Sequence, residues 1–135
     1  MHQEGEGLAG AFRSAVADVY AEVDGTVVVR FRPDARVTLD SAREVVAAHV
    51  AAARGRKCPA LVDLRGMRSA DVEGRKLAAG PAIAAVTSHM ALIVGDPLSR
   101  ILGNFFLRVS RPLYPTRIFT AEASARRWLS EESSQ

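Results

Sequence analysis

Polar and apolar positions alternate near the start of the chain in a way that predicts a β-hairpin around Asp24-Gly25. A two-residue turn would mix polar and apolar side chains on both faces of the hairpin. A three-residue loop with Gly25 in the left-handed conformation separates them, because Ala21 then pairs with Val27 and polar residues pair on the other side. The pattern therefore predicts an antiparallel hairpin with one apolar face.

Helical and strand patterns alternate after the hairpin. Apolar residues spaced by three or four positions after Thr38 predict a first helix with Thr38 as its N-cap. The predicted elements are strands at 18–22, 26–32, 60–64, 91–94 and 117–119, and helices that begin after Thr38, Ser69, Asp96 and Thr120. This ββαβαβαβα order predicts an α/β fold with a mixed sheet, in which parallel crossovers follow an antiparallel hairpin.

The helix after Asp96 has the clearest start signal in the chain, because Asp96 is a good N-cap and Pro97 suits the first helical position. Its predicted core stripe consists of Leu98, Ile101, Leu102, Phe105 and Val109. Gly103, Phe106 and Leu107 lie away from that stripe. A helix that is apolar on more than one side is deeply buried or meets a partner, so these three residues are predicted to form an interface with a second copy or another protein.

Length and composition predict one domain. The chain has 135 residues, of which 48% are hydrophobic and 24% are charged, as in an average globular protein. We expect a partly ordered segment at 1–17, the domain at 18–129 and a frayed tail at 130–135. The single cysteine cannot form an internal disulfide, and Glu4 and Glu6 lie where a secretion signal would be basic. These features predict a cytoplasmic protein without a membrane span.

Two short motifs carry a family resemblance. A Gly-Asn-Phe-Phe helix at 103–106 and a Pro-Thr-Arg-Ile-Phe strand at 115–119 accompany the element order above. In its element order, with the strand at 61–64 ahead of the second helix, the chain resembles the STAS domains of bacterial anti-sigma-factor antagonists. In the two motifs it resembles uncharacterised STAS-like bacterial proteins. The architecture is also generally similar to CRAL-TRIO lipid-transfer domains. The STAS resemblance implies a non-catalytic regulatory module that acts through protein contacts.

The phosphorylation segment of the STAS family is altered here. Family members typically carry Asp-Ser-Ser-Gly at the start of the second helix, and the first serine is phosphorylated to switch partner binding. This chain has Asp71-Val72-Glu73-Gly74, and Val72 cannot accept a phosphate. Ser69 is the nearest hydroxyl, so Ser69, Asp71 and Asp63 are the candidate regulatory residues. Ser69 is also a good helix N-cap, which is its simpler interpretation.

No catalytic, metal-binding or cofactor-binding residues are predicted. The only histidines are His2, His49 and His89, and none accompanies a serine-nucleophile elbow or a cysteine at a metal-ligand spacing. Cys58, beside Pro59, is interpreted as a small buried side chain. Phosphate-binding glycine loops are absent, and no helix has the dense basic face of a nucleic-acid reader. We therefore predict neither an enzyme nor a nucleic-acid-binding protein.

The net charge is +3, and positive charge concentrates in the second half of the chain. Six arginines lie between Pro97 and Arg127 against one acid, Glu122. The candidate residues for an anionic ligand are Ser99, Arg100, Arg111 and Arg117, although Asp96 opposes an anion at the same helix start. The alternative function is accordingly a carrier of a small apolar or anionic molecule. A cavity lined by Ile93, Leu102 and Phe106, with an arginine at its mouth, would favour the carrier. A solid core with an exposed apolar patch would favour protein interaction.

Overall fold

A computed structural model describes residues 11–134 of the chain. The predicted hairpin is confirmed, since Ala21 pairs with Val27 in antiparallel register. Gly25 adopts a φ of 96°, a conformation that most side chains disfavour, and the Asp24 carboxylate accepts a hydrogen bond of 2.9 Å from the amide of Thr26. The three-residue loop therefore sets the hairpin register.

Six strands form the main sheet in the order β1-β2-β3-β5-β7-β8, and two very short strands pair separately. The strands are β1 (Phe12–Arg13), β2 (Ala17–Ala21), β3 (Val27–Phe31), β4 (Arg36–Val37), β5 (Cys58–Asp63), β6 (Ser69–Ala70), β7 (Thr87–Ile93) and β8 (Thr116–Phe119). From β3 to β8 every neighbouring pair is parallel, whereas β1, β2 and β3 are joined by antiparallel pairing. The predicted mixed sheet is confirmed.

Within residues 11–134, five α-helices connect and cover these strands. They are α1 (Leu39–Ala53), α2 (Val72–Ala79), α3 (Pro81–Ala84), α4 (Pro97–Phe105) and α5 (Glu122–Ser133), and a π-helical turn (Phe106–Ser110) continues α4. Thr38 caps α1 as predicted, accepting a hydrogen bond from the amide of Ser41. Asp96 caps α4 and Pro97 occupies its first turn, also as predicted. Local sequence signals therefore place both helix starts correctly.

Three predicted boundaries are wrong. Ser69 does not cap α2, because it lies in β6 and the N-cap position belongs to Asp71. Likewise α5 starts after Ala121 instead of Thr120. The segment after Leu129 is not frayed, because α5 continues to Ser133, whose hydroxyl donates a 2.8 Å hydrogen bond to the carbonyl of Leu129. At the other end, within the predicted segment at 1–17, Phe12–Arg13 pairs with β2 and Ala17 begins β2, while residues 1–10 lie outside the described residues.

The sheet has two unequal faces. Alternate residues such as Val29, Val62 and Leu92 belong to a large core cluster with α1, α3 and the end of α4. The opposite face buries Leu61 and Ile93 in a small cluster to which α5 contributes Ala125 and Leu129. Because one face packs on several helices and the other mainly on α5, the helix-rich face has the room for an internal cavity.

The predicted core stripe of α4 is wrong for Ile101, Phe105 and Val109, whereas Leu102 packs against the core. Ile101 and Val109 are 63% and 59% exposed, while Ser99 and Gly103 are buried. A Cβ built on Gly103 would lie 2.9 Å from Cγ1 of Val94, so the missing side chain lets the helix approach the sheet closely. The helix therefore packs through the face that was predicted to be its interface.

Candidate functional site

An apolar cavity of about 110 Å³ lies between the sheet, α1, α2 and the end of α4. Its walls include Val29 and Leu92 from the sheet, Val46 from α1, and Leu102 and Phe106 from α4 and the π-helical turn. Leu102 and Phe106 were the expected lining residues. Ile93, the third, instead belongs to the cluster on the opposite face of the sheet. The cavity is thus formed by the helices on this side of the sheet and by strand residues whose side chains point to the same face.

Three of the described residues that line the cavity have polar side chains: His49, Tyr114 and Arg75. The hydroxyl of Tyr114 donates a 2.8 Å hydrogen bond to the carbonyl of Ala78, and burial raises the pKa of this phenol. Burial lowers the pKa of His49 from its usual 6.5 to about 4, so the imidazole is neutral at physiological pH. Tyr114 therefore has a partner inside the chain, and His49 adds no charge to the cavity.

Arg75 is the unusual member of the cavity wall. One terminal nitrogen donates a 2.7 Å hydrogen bond to the carbonyl of Ala70, and the guanidinium carbon lies 4.4 Å from the centroid of the Phe105 ring. Its Nε is buried and has no hydrogen-bond partner among residues 11–134. Buried polar groups are normally hydrogen-bonded, so this unpaired donor is an exception among the described residues. Arg75 also connects the cavity with the outer surface of α4.

The sequence analysis missed Arg75, although a signal was present. Arg75 shares a helical face with Ala78 and Ala79, spaced three and four positions later. Ala79 is buried, so a charged residue on this face is out of place in a simple amphipathic helix. The unpaired state of its Nε could not be predicted, because it depends on residues from other elements.

The outer face of α4 and the π-helical turn carries an exposed apolar stripe formed by Ile101, Phe105 and Val109. The stripe lies on the opposite side of the helix from the residues predicted to form an interface. Gly103 and Phe106 are buried, so the predicted interface is wrong for these two residues. Leu107 is partly buried. The π-helical geometry adds one residue to a turn, and such turns are frequent at functional sites. An apolar surface therefore exists on α4, but on the residues first assigned to the core.

On the α5 face, an ion-pair network surrounds Asp63. Asp63 accepts hydrogen bonds of 2.9 and 2.8 Å from Arg65, and Arg30 lies 3.2 Å away. Arg30 also donates two hydrogen bonds to Glu122, and hydrogen bonds from Arg30 and Arg126 lower the pKa of this carboxyl to about 2. Burial acts to raise the pKa of Asp63, but hydrogen bonds from Arg65 together with the charges of Arg65 and Arg30 lower it below its usual value. The network holds α5 against the ends of β3 and β5.

The three candidate regulatory residues are not brought together. Asp63 lies in the network under α5, whereas Ser69 and Asp71 lie beside the start of α1. Ser69 is exposed in its two-residue strand, and the Asp71 carboxylate accepts a 3.3 Å hydrogen bond from the amide of Leu39. Ser69 therefore remains an accessible hydroxyl without the helix start that was expected to stabilise a phosphate.

The four candidate anion-binding residues do not form one site either. The Ser99 hydroxyl donates to the carbonyl of Asp96 and accepts from the amide of Gly95, so it is fully used. The amides of Gly66 and Ser99 donate to the carboxylate of Asp96 and lower its pKa to about 2. A permanent carboxylate thus occupies the helix start, and the prediction of an anion there is wrong. The candidate arginines Arg100, Arg111 and Arg117 are exposed in separate segments, and Arg117 lies 5.5 Å from the ring of Phe119.

His89 and Cys58 have structural surroundings. Nε2 of His89 lies 2.9 Å from the carbonyl of Leu129, which can only accept, so this nitrogen carries the proton. Its Nδ1 lies 2.9 Å from the hydroxyl of Ser88, within hydrogen-bond distance. The imidazole thereby joins β7 to α5. Burial raises the pKa of the Cys58 thiol, which disfavours the reactive thiolate.

Comparison with known proteins identifies the family. A family model described as a domain of unknown function (DUF7793) matches residues 19–133. The chain belongs to this family. A search of the curated proteins finds no match. The fold of this DUF7793 member is similar to that of an uncharacterised protein of the DUF3478 family from Shewanella loihica PV-4, whose structure is described as SpoIIAA-like.

That similarity has a TM-score of 0.59 at 16% sequence identity, and it covers 91% of this chain and 94% of the other. It shows that the DUF7793 domain has a SpoIIAA-like, that is STAS-like, fold, in agreement with the predicted architecture. Among the described residues, no helix has both the length and the apolar character needed to cross a bilayer.

Proposed function

We propose that this DUF7793 protein is a non-catalytic, STAS-like regulatory module of the bacterial cytoplasm that binds another protein through the outer face of α4. The observation that carries the proposal is the exposed stripe of Ile101, Phe105 and Val109. Large apolar side chains that share one exposed helix face mark a site of interaction more often than isolated ones do. A partner helix or strand would cover this stripe.

The charges around the stripe indicate the chemistry of the partner. Arg100, Arg108 and Arg111 are exposed in or just after α4, and no acidic residue occurs between Asp96 and Glu122. A basic rim around an apolar stripe is complementary to an acidic, amphipathic protein segment. A second copy is a poorer match. Antiparallel pairing of two α4 helices across a two-fold axis would bring Arg100 of one copy close to Arg108 of the other.

Site-specific photo-crosslinking in the host cell tests the proposal. A photoreactive phenylalanine analogue at Ile101 should form an adduct that maps to an acidic, amphipathic segment of another protein. The same analogue at Val23, which is 94% exposed in the hairpin loop, is the matched control. Arg108→Glu should abolish the adduct, whereas Arg56→Glu, at an exposed position after α1, should not. Equal adducts from Ile101 and Val23, or adducts only between copies of this chain, would contradict the proposal.

The cavity favours a second candidate function, the binding or carriage of a small apolar molecule. Its lining is almost entirely hydrocarbon and includes Leu102 and Phe106, two of the three residues named for the carrier alternative. The volume is well below that of pockets for drug-sized ligands, so the molecule would be small. Native mass spectrometry of the protein purified from its own host tests this candidate. A reproducible adduct of low mass supports it, and a bare chain in every preparation counts against it.

A further inference from the structure

The apolar cavity on the helix-rich face of the sheet offers a bound molecule almost no hydrogen-bonding group. Polar atoms form only a small part of its surface, although His49, Tyr114 and Arg75 are among its lining residues. The Tyr114 hydroxyl donates to the carbonyl of Ala78, and a terminal nitrogen of Arg75 donates to the carbonyl of Ala70. These side chains therefore present mainly carbon atoms to the cavity.

The charge of Arg75 does not change this property. Its guanidinium carbon lies 4.4 Å from the centroid of the Phe105 ring, and Phe105 belongs to the exposed stripe of α4. Its Nε is buried, so a molecule in the cavity cannot contact that atom. His49 is neutral, because burial lowers its pKa to about 4. A ligand with a charged group or several hydrogen-bonding groups would lose more hydrogen bonds to water than this cavity can replace.

Water is a poor occupant for the same reason. An ordered internal water needs two or more polar partners, and an apolar cavity in a protein stays dry. An empty cavity leaves its lining atoms without dispersion partners, and an apolar molecule that fills it restores them. The cavity therefore favours a hydrocarbon over both water and an empty volume.

The volume sets the size of the ligand. A dry protein cavity of roughly 150 Å³ lined by leucine, isoleucine and phenylalanine binds benzene, which has six carbon atoms. The present cavity measures about 110 Å³ and is also lined by aliphatic and aromatic side chains. We infer that it binds an uncharged hydrocarbon of about four carbon atoms, in proportion to this smaller volume. The inference rests on the second candidate function, and it adds the chemical class and the size of the ligand.

Three probes of different polarity and size test the inference. 2-Methylpropene is a hydrocarbon of the inferred size, acetone has nearly the same shape but carries an oxygen atom, and cyclohexane is a larger hydrocarbon. Binding is followed by two-dimensional NMR of methyl groups that line the cavity, such as those of Val46 and Leu92. The methyl groups of Leu61 and Ile93, on the opposite face of the sheet, are the internal control.

We expect 2-methylpropene to shift the signals of the cavity methyl groups and to leave those of Leu61 and Ile93 unchanged. Acetone should bind at least tenfold more weakly, because its carbonyl loses hydrogen bonds to water that the cavity does not replace. Cyclohexane should also bind at least tenfold more weakly, because the packed wall would have to expand to admit it.

Matched variants assign the shifts to the cavity. Val46→Phe fills the cavity from α1 and should abolish the interaction with 2-methylpropene, whereas Val72→Phe, at an exposed position of α2, should not. Val29→Ala enlarges the cavity from the sheet and should increase the affinity for cyclohexane. The methyl spectrum shows directly whether each variant is folded, and the enlarged variant tests the site even if the filled one does not fold.

The possible failures are distinguishable. If acetone binds as tightly as 2-methylpropene, the apolar class is wrong, and if cyclohexane binds more tightly, the size is wrong. The second candidate function stands in both cases. If no probe shifts the signals of Val46 and Leu92, or if Leu61 and Ile93 shift equally, both the inference and that function are overturned.

Discussion

The adjacent phenylalanines Phe105 and Phe106 allow a sharp test of how α4 lies on the sheet. Phe106 is 9% exposed and lines the cavity, whereas Phe105 is 38% exposed and packs against Arg75. Truncation of a buried phenylalanine to alanine costs about 3–5 kcal/mol. We expect Phe106→Ala to lower the free energy of unfolding by about 3 kcal/mol, at the low end of this range because a cavity already borders the ring.

The same substitution at Phe105 should cost much less. It removes a partly exposed ring and a cation–π contact with Arg75 of about 0.5–1 kcal/mol. It also gains roughly 0.5 kcal/mol from the higher helix propensity of alanine. The net loss should be about 1 kcal/mol, so the two neighbouring variants should differ by about 2 kcal/mol.

Urea unfolding followed by far-ultraviolet circular dichroism measures both values, provided that the slope of the transition is unchanged between variants. The comparison is internally controlled, because the two variants remove the same side chain from consecutive positions. A loss at Phe105 equal to or larger than that at Phe106 would refute the orientation of α4. It would mean that Phe105 faces the core, as the core stripe proposed in the sequence analysis predicts.

Three further predictions follow from individual contacts. Gly103→Ala should destabilise the protein by about 1 kcal/mol, because the clash with Val94 exceeds the gain in helix propensity. In the same urea assay, Asn104→Ala at the exposed neighbouring position should change the stability little. Burial lowers the pKa of His49 from its usual 6.5 to about 4. The neutral His49 side chain therefore contributes fully to the free energy of unfolding above pH 6.5, and this contribution is lost as the pH falls towards 4. His49→Gln should therefore remove roughly 2 kcal/mol of the stability difference between about pH 7 and about pH 5, and an unchanged difference would contradict the burial of a neutral imidazole. Hydrogen bonds lower the pKa of Glu122 from its usual 4.5 to about 2. The ionised carboxylate therefore stabilises the fold above pH 4.5, and this stabilisation is lost as the pH falls from 4.5 towards 2. Glu122→Gln should make the melting temperature fall less over this pH range.

Several features were predictable from the sequence because they depend on local interactions. The hairpin register follows from the alternation around Gly25, and only one loop length separates polar from apolar faces. Thr38 and Asp96 cap helices because their side chains reach amides only three residues away. The two-residue strands β4 and β6 were not predictable, since they exist only through their pairing with each other.

The candidate site was predictable only in part. For the carrier alternative, the sequence analysis specified a cavity lined by Ile93, Leu102 and Phe106 with an arginine at its mouth. Leu102 and Phe106 line the cavity, whereas Ile93 lies on the other face of the sheet. The sequence analysis did not identify Arg75, because the environment of that side chain is assembled from α1, α2 and the end of α4. It also placed an anion beside Ser99, where the Asp96 carboxylate already satisfies the free amide.

The sequence by itself determined the α/β class and the order of the main elements, because hydrophobic periodicity and turn chemistry act over a few residues. The STAS-like architecture was implied by the family resemblance. It did not determine which side of α4 faces the sheet, since apolar residues occur on more than one side and the periodicity fits either orientation. The tertiary structure decided this through Gly103, whose missing side chain allows close contact with Val94. That contact turns Phe106 towards the cavity and leaves Phe105 on the surface beside Arg75, because packing depends on the shape of the opposing layer.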